Sequence, residues 1–125
     1  MTRTIELPGL SAAPLNAATV VDGTIYTSGQ VGRDRRTGET PAGLEAQVRA
    51  TFDNLAYVLE EAGGGLETIV KTVVFLTDAA DFAAMNRVYA ELMPTPHPPR
   101  STVVVGLAHD YLKFEIEAIA RVRAG

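Results

Sequence analysis

The stretch Leu112-Lys113-Phe114-Glu115-Ile116-Glu117-Ala118-Ile119-Ala120-Arg121-Val122 alternates without a break. Leu112, Phe114, Ile116, Ala118, Ala120 and Val122 fall on one side of an extended chain, and Lys113, Glu115, Glu117, Ile119 and Arg121 on the other. A period of two over that length predicts a strand with one face in a core and the other carrying charge. The apolar face needs a cover, and the rest of the chain supplies it.

From Leu44 the apolar residues Leu44, Val48, Phe52, Leu55 and Leu59 step by four, four, three and four, the stripe of an amphipathic helix. Gly63-Gly64-Gly65 ends it, because a residue tolerant of positive φ is favoured just past a helix. Without a preceding strand and a following Lys-Ser/Thr, the triplet does not fit a phosphate loop. A second helix is expected after Asp78, a capping residue, with Asp81 in its first turn and Phe82, Met85, Tyr89 and Leu92 on one side. Between the helices, Ile69 to Thr77 (IVKTVVFLT) is dense in β-branched residues and reads as a central strand. Two helices on the apolar face of a sheet give a two-layer α+β domain, with the strand order open.

Two shorter runs, Thr19-Val20-Val21 and Thr24-Ile25-Tyr26-Thr27-Ser28, flank Asp22-Gly23, the pair that favours a type I′ hairpin. Gly29 to Gly43, with Arg33-Asp34-Arg35-Arg36, reads as an exposed connection. Pro94, Pro96, Pro98 and Pro99 forbid helix and deliver Arg100 to the mouth of another strand, Ser101 to Val105.

At 125 residues the chain is expected to be one domain, 1–125, with a core large enough to need no staples. It has no cysteine, which removes disulfides, thiolate metal sites and thiol nucleophiles. Eleven basic against fifteen acidic residues leave a net charge of −4, the wrong sign for affinity built on phosphate neutralisation, so no nucleic-acid partner is expected. No run of 18 apolar residues points to a membrane span and the first residues carry no secretory signal, so a cytoplasmic protein is expected.

Chemistry has few candidates. His97 lies among prolines and His109 in a turn beside Asp110; both read as solvated, and no metal site is expected. What remains is Arg100 at a strand start and Glu115 in the strand that follows in sequence. A guanidinium grips a carboxylate through two parallel bonds, and a glutamate can orient or deprotonate water. A structural ion pair or two unrelated surface charges fit the same residues. Whether water or other subunits meet the face that holds Glu115 and Glu117 is equally open at this stage.

The order of several short segments resembles the RidA/YjgF family of enamine/imine deaminases. They are Ile25-Tyr26-Thr27-Ser28-Gly29-Gln30, Thr37-Gly38-Glu39, Glu45-Ala46-Gln47 with Asn54-Leu55, Val70 to Leu76, Asp81-Phe82 with Asn86 and Tyr89, Pro99-Arg100-Ser101, and Glu115 to Ala120. Together they span about residues 13–122. The resemblance implies a chorismate-mutase-like α+β fold, one mixed sheet with two helices on one face. It further implies a homotrimer joined through the sheet faces, with a cleft between each pair of neighbours.

Members of the deaminase branch hydrolyse 2-imino and 2-enamino acids, of the 2-aminoacrylate and 2-iminobutanoate type, to 2-oxo acid and ammonia without a cofactor. By that likeness Arg100 clamps the substrate carboxylate with help from the Gly29 N–H, and Glu115 holds and polarises the attacking water. The Thr102 carbonyl is a second water contact, Asn86 lines the cleft, and Ser28 shapes the loop that presents Gly29. Burial in a trimer raises the pKa of Glu115 and a neighbouring Arg100 lowers it, two opposed effects.

One position departs from the pattern. Relatives usually carry Gly-Pro-Tyr-Ser where this chain has Ala13-Pro14-Leu15-Asn16, so a leucine, Leu15, replaces a phenol in the cleft wall. A larger or less polar ligand follows from that change. The same change supports an alternative reading, a non-catalytic trimeric module that binds a small carboxylate. A third role attached to the family, ribonuclease or chaperone, fits poorly with the acidic balance.

Overall fold

The computed structural model describes residues 1–7 and 13–124. Six strands form one sheet: β1 (Thr2–Ile5), β2 (Ala18–Val21), β3 (Thr24–Thr27), β4 (Ile69–Leu76), β5 (Arg100–Val104) and β6 (Phe114–Arg121). Two helices, α1 (Leu44–Glu61) and α2 (Phe82–Leu92), complete it. The strand order is β1-β2-β3-β6-β4-β5, antiparallel except for the parallel pair β4 and β5 that α2 connects. The sheet is therefore mixed and two-layered.

The alternation in β6 holds in three dimensions: Phe114, Ile116, Ala118 and Ala120 are buried, while Glu115 and Ile119 are half-buried and Glu117 and Arg121 exposed. The inward residues share one core with Val74 and Leu76 of β4, Ile25 of β3, Val48, Phe52, Leu55 and Leu59 of α1, and Met85, Val88 and Tyr89 of α2. Phe52 meets Tyr89 edge-on, centroids 5.4 Å apart, where the two helices touch. Asp22 and Gly23 both have positive φ, 48° and 82°, as a type I′ turn requires. At the end of α1, Gly63 has φ 95°. The Gly64 N–H donates to Leu59 O at 2.8 Å and the Gly63 N–H to Glu60 O at 3.1 Å, the double bond of a Schellman cap.

Several elements differ from the sequence reading. β1, which the sequence reading does not anticipate, pairs with β2 through Thr2↔Val21 to Ile5↔Ala18; four residues, three of them exposed, show no usable periodicity. Asp78 caps a short 3₁₀ turn at Ala79–Asp81, its Oδ1 accepting from Ala80 N at 2.9 Å, so α2 begins only at Phe82. Phe82 is 46% exposed and stands outside the core stripe. Strand ends move by a residue or two: β6 starts at Phe114, β4 stops at Leu76, β3 stops at Thr27, and β5 runs Arg100–Val104, one residue earlier at each end.

The connection from Gly29 to Gly43 is not simply exposed. Gln30 exchanges backbone hydrogen bonds with Ile116 at 2.7 and 3.0 Å. Asn54, buried on α1, donates to the carbonyls of Val31 (2.8 Å) and Arg33 (2.7 Å). Gln47, fully buried two turns earlier on the same face of α1, donates to Pro41 O and Tyr111 O, both at 2.9 Å, and accepts from Lys113 N at 2.8 Å. Two helix amides thus pin the loops that flank the strand carrying Glu115.

Candidate active site

Glu115 and Gly29 are placed against each other by β6 and the exit of β3. A Cβ built on Gly29 would lie 2.1 Å from Glu115 Oε2 and 2.9 Å from Glu115 Cδ, so the carboxylate occupies the space that any side chain here would need. The Gly29 N–H has no acceptor within the described residues, whereas its neighbours Ser28 and Gln30 spend theirs on Ala17 O and Ile116 O. Ser28 Oγ donates to Asn16 O at 2.5 Å, fastening the 13–17 segment to the end of β3. The hydroxyl thus shapes the loop at the edge of the site.

These residues line a cavity of about 340 Å³ together with Leu15, Ala17, Val31, His109 and Leu112, within the range of small-molecule sites. The Glu115 carboxylate has no hydrogen bond or ion pair among the described residues. Burial pushes its carboxyl above the ordinary value of 4.5, and the like charge of Glu117 adds to the rise. Leu15 forms a wall there, as the departure at that position suggests. His109 is exposed, as the sequence reading expects; it also stacks on Tyr111, with centroids 5.2 Å apart and planes 11° from parallel, and lines this cavity. An isolated histidine in a turn gives no sequence signal for that placement.

Arg100 lies elsewhere. It opens β5, and its Nη2 donates to Asn86 Oδ1 on α2 at 2.7 Å. Its Cζ stands 4.7 Å from the centre of the Tyr89 ring and 5.9 Å from that of Phe82, within cation–π range. The Tyr89 hydroxyl in turn bonds Thr72 Oγ1 at 2.7 Å, which fixes the ring beneath the guanidinium. No carboxylate among the described residues comes within ion-pair distance of Arg100. The cation is held entirely by neutral groups, so its charge stays available.

The sequence places Arg100 and Glu115 on strands consecutive in the chain and leaves the strand order open; the sheet separates them. β4 lies between β5 and β6, with Thr72 paired to Arg100 and Ala118, and Phe75 paired to Val103 and Glu115. Two strands sideways and three residues along place the two Cα atoms roughly 14 Å apart. The two side chains also leave opposite faces, Arg100 on the helix side with Thr72 and Glu115 on the open side with Phe75. Within one chain they form neither an ion pair nor a common pocket. The structure brings together Leu15, Ser28, Gly29 and Glu115 as one group and Asn86 and Arg100 as another.

Thr102 belongs to the second group by backbone. The Thr72 N–H bonds Pro99 O (3.1 Å) and the Val105 N–H bonds Leu76 O (2.8 Å), which sets the phase of the parallel ladder. In that phase the backbone groups of Arg100, Thr102 and Val104 point away from β4, to the free edge of the sheet. The Thr102 carbonyl is thus presented outward beside Arg100, whatever its side chain. His97, by contrast, is exposed in the proline segment, and among the described residues no three His, Asp or Glu side chains gather around one point.

The open face of the sheet, free of helices, carries Val73, Phe75 and Ile119 half-buried, with Tyr26 48% and Val103 39% exposed. It is more apolar than a solvated face, with Glu115 and Glu117 set in it.

Comparison with known proteins agrees with this architecture. The family described as Endoribonuclease L-PSP matches residues 7–122. The 2-iminobutanoate/2-iminopropanoate deaminase of Escherichia coli (strain K12) is 40% identical over 126 residues, covering 96% of this chain and 98% of that protein. Protein mmf2, mitochondrial, of Schizosaccharomyces pombe is 46% identical over 110 residues, 86% of each chain. The crystal structure of RidA from the Antarctic bacterium Psychrobacter sp. PAMC 21119 superposes with a TM-score of 0.90 at 35% identity, covering 96% of this chain and 99% of that one. Sequence, strand order and loop geometry converge, and the chain belongs to the endoribonuclease L-PSP family, the RidA/YjgF proteins.

Proposed function

We propose that this chain hydrolyses small 2-imino and 2-enamino acids to 2-oxo acid and ammonia, as a homotrimer. In each cleft one protomer contributes Glu115 and Gly29 and its neighbour contributes Arg100. The reading is supported chiefly by the division of the site into two incomplete halves of complementary chemistry. One half has a partnerless carboxylate beside an unused N–H, and the other a cation held only by neutral groups. A small carboxylate with an electrophilic carbon is what such halves would bind if brought together. The apolar open face and the free edge of β5 supply surfaces for the association.

In this mechanism Arg100 takes the substrate carboxylate in two parallel bonds, and the Gly29 N–H adds a third. Glu115, with the outward Thr102 carbonyl, holds a water against C2 of the imine. Glu115 accepts a proton as the water oxygen bonds C2, and the C=N electron pair moves to nitrogen, which takes that proton to give the neutral carbinolamine. Glu115 then relays the carbinolamine hydroxyl proton to nitrogen as the C–N bond breaks and the C=O bond forms, and ammonia and the 2-oxo acid leave. A carboxyl raised above its ordinary range serves this better than one at 4.5, because a base works best near the operating pH. A positioned base contributes about 10² to 10⁴-fold, enough for an imine that already hydrolyses unaided.

The test measures 2-oxo acid release from 2-aminoacrylate or 2-iminobutanoate generated in situ. The purified protein speeds release over the spontaneous rate, and Arg100→Ala loses about 2 to 5 kcal/mol of transition-state stabilisation. No acceleration by the wild-type protein overturns the enzymatic reading. Binding of 2-oxobutanoate without turnover would leave a carboxylate-binding module, the reading that Leu15 favours.

A further inference from the structure

The cavity beside Glu115 is built for more than a short side chain. Its apolar walls include Leu15, Ala17, Val31 and Leu112; its polar lining is Ser28, Gln30, His109 and the Glu115 carboxylate, which lies against Gly29. The His109 ring lies nearly parallel to that of Tyr111. A second space of about 480 Å³ shares Ala13, Val31, His109 and Leu112 with the first and is lined beyond them by Tyr111, Arg33, Gly38 and Thr40. A ligand whose reacting carbon lies at Glu115 therefore meets aliphatic walls, with the stacked His109 and Tyr111 rings, beside Arg33 and Thr40, lining the space beyond.

From this we infer that the site selects 2-imino acids with a large apolar side chain, aromatic above branched aliphatic, over those with one or two side-chain carbons. The inference rests on the imine-hydrolase reading and names its substrate class. Leu15 supplies apolar surface that a short substrate leaves unused, and at 53% exposure it carries no role in the core. The stacked His109 and Tyr111 rings offer a phenyl group a face or an edge at ordinary aromatic spacing. One methylene more or less in an apolar pocket changes selection by about tenfold or more, so the side-chain channel is sufficient to set the preference.

The experiment compares kcat/KM for imines released in situ by an amino-acid oxidase from alanine, leucine and phenylalanine. It is run on the wild type, Leu15→Tyr and His109→Ala. Binding of pyruvate and phenylpyruvate to each protein is measured separately by calorimetry. The wild type is expected to favour the phenylalanine-derived imine over the alanine-derived one by at least about tenfold, about 1.4 kcal/mol. Leu15→Tyr, which narrows the channel and adds a hydroxyl, shifts the ratio toward the alanine-derived imine. His109→Ala lowers the ratio by reducing the phenyl substrate alone. Phenylpyruvate binds more tightly than pyruvate.

Equal rates for all three imines, or a preference for the smallest, overturn the inference and leave the hydrolase reading standing. Tighter phenylpyruvate binding with no acceleration of any imine does the reverse: the apolar subsite stands and the hydrolase reading falls. Variant ratios unchanged from wild type remove Leu15 and His109 from the subsite and overturn the inference.

Discussion

Replacing Gly29 by alanine tests the geometry at the acid end of the site. The added Cβ would sit 2.1 Å from Glu115 Oε2 and 3.3 Å from Glu115 Cγ. Ordinary van der Waals contact begins near 3.4 Å, so the carboxylate must retreat by about 1.3 Å, the difference of 3.4 and 2.1. The group that yields is the far end of a flexible side chain, so the fold absorbs the change. Gly29 is not among the positive-φ glycines, and alanine reduces the freedom of the unfolded chain, an effect of about 0.4 to 1 kcal/mol in favour of folding. Catalysis does not absorb it, since misplacement by about 1 Å can cost about 10²-fold. Gly29→Ala is therefore expected to fold with an unchanged or slightly raised Tm and to lose about 10²-fold or more in kcat/KM. Thermal denaturation and the 2-oxo acid assay on one preparation read both quantities. A variant of full activity refutes the reasoning, and so does one that loses activity only because it unfolds.

Three further outcomes follow from the same contacts. Gln47→Leu leaves Pro41 O, Tyr111 O and Lys113 N without their partner and should destabilise by about 2 to 4 kcal/mol, a fall in Tm of roughly 10 °C, read by calorimetry. Asn86→Ala frees the Arg100 guanidinium to wander from its 2.7 Å contact, so KM for the imino acid should rise about tenfold with kcat much less changed. Glu115 titrates higher in the fold than in the unfolded chain, so the folded state holds the extra proton and stability falls as pH rises from 4.5 through the raised folded value. Glu115→Gln should raise Tm at neutral pH and flatten that stretch of the pH–Tm curve.

The core was legible because its period is unambiguous: the alternation at Phe114, Ile116, Ala118 and Ala120 and the stripe at Val48, Phe52, Leu55 and Leu59 are both buried as their spacing requires. Asp22-Gly23 and Gly63 adopt the positive φ that their chemistry permits. β1 was not legible, since its pairing is made by backbone bonds to β2 and its side chains mostly face water. Gln47 and Asn54 gave no signal either, because a buried amide bonding distant loop carbonyls looks in sequence like any polar helix residue. The individual site residues could be named, but not their arrangement: a strand order that inserts β4 between Arg100 and Glu115 is a tertiary fact. His109 entered the cavity by the path of its loop, which no local pattern encodes.

The central claim, that one protomer's Arg100 works with another's Glu115, is tested most directly by mixing two inactive variants. Arg100→Ala and Glu115→Gln chains are unfolded together in equal amounts, refolded and assayed against each alone. If the cleft is shared between subunits of a closed ring, about one quarter of clefts in a random mixture draw both intact groups, and activity should return to about one quarter of wild type. A mixture as inactive as its two components would contradict the shared site.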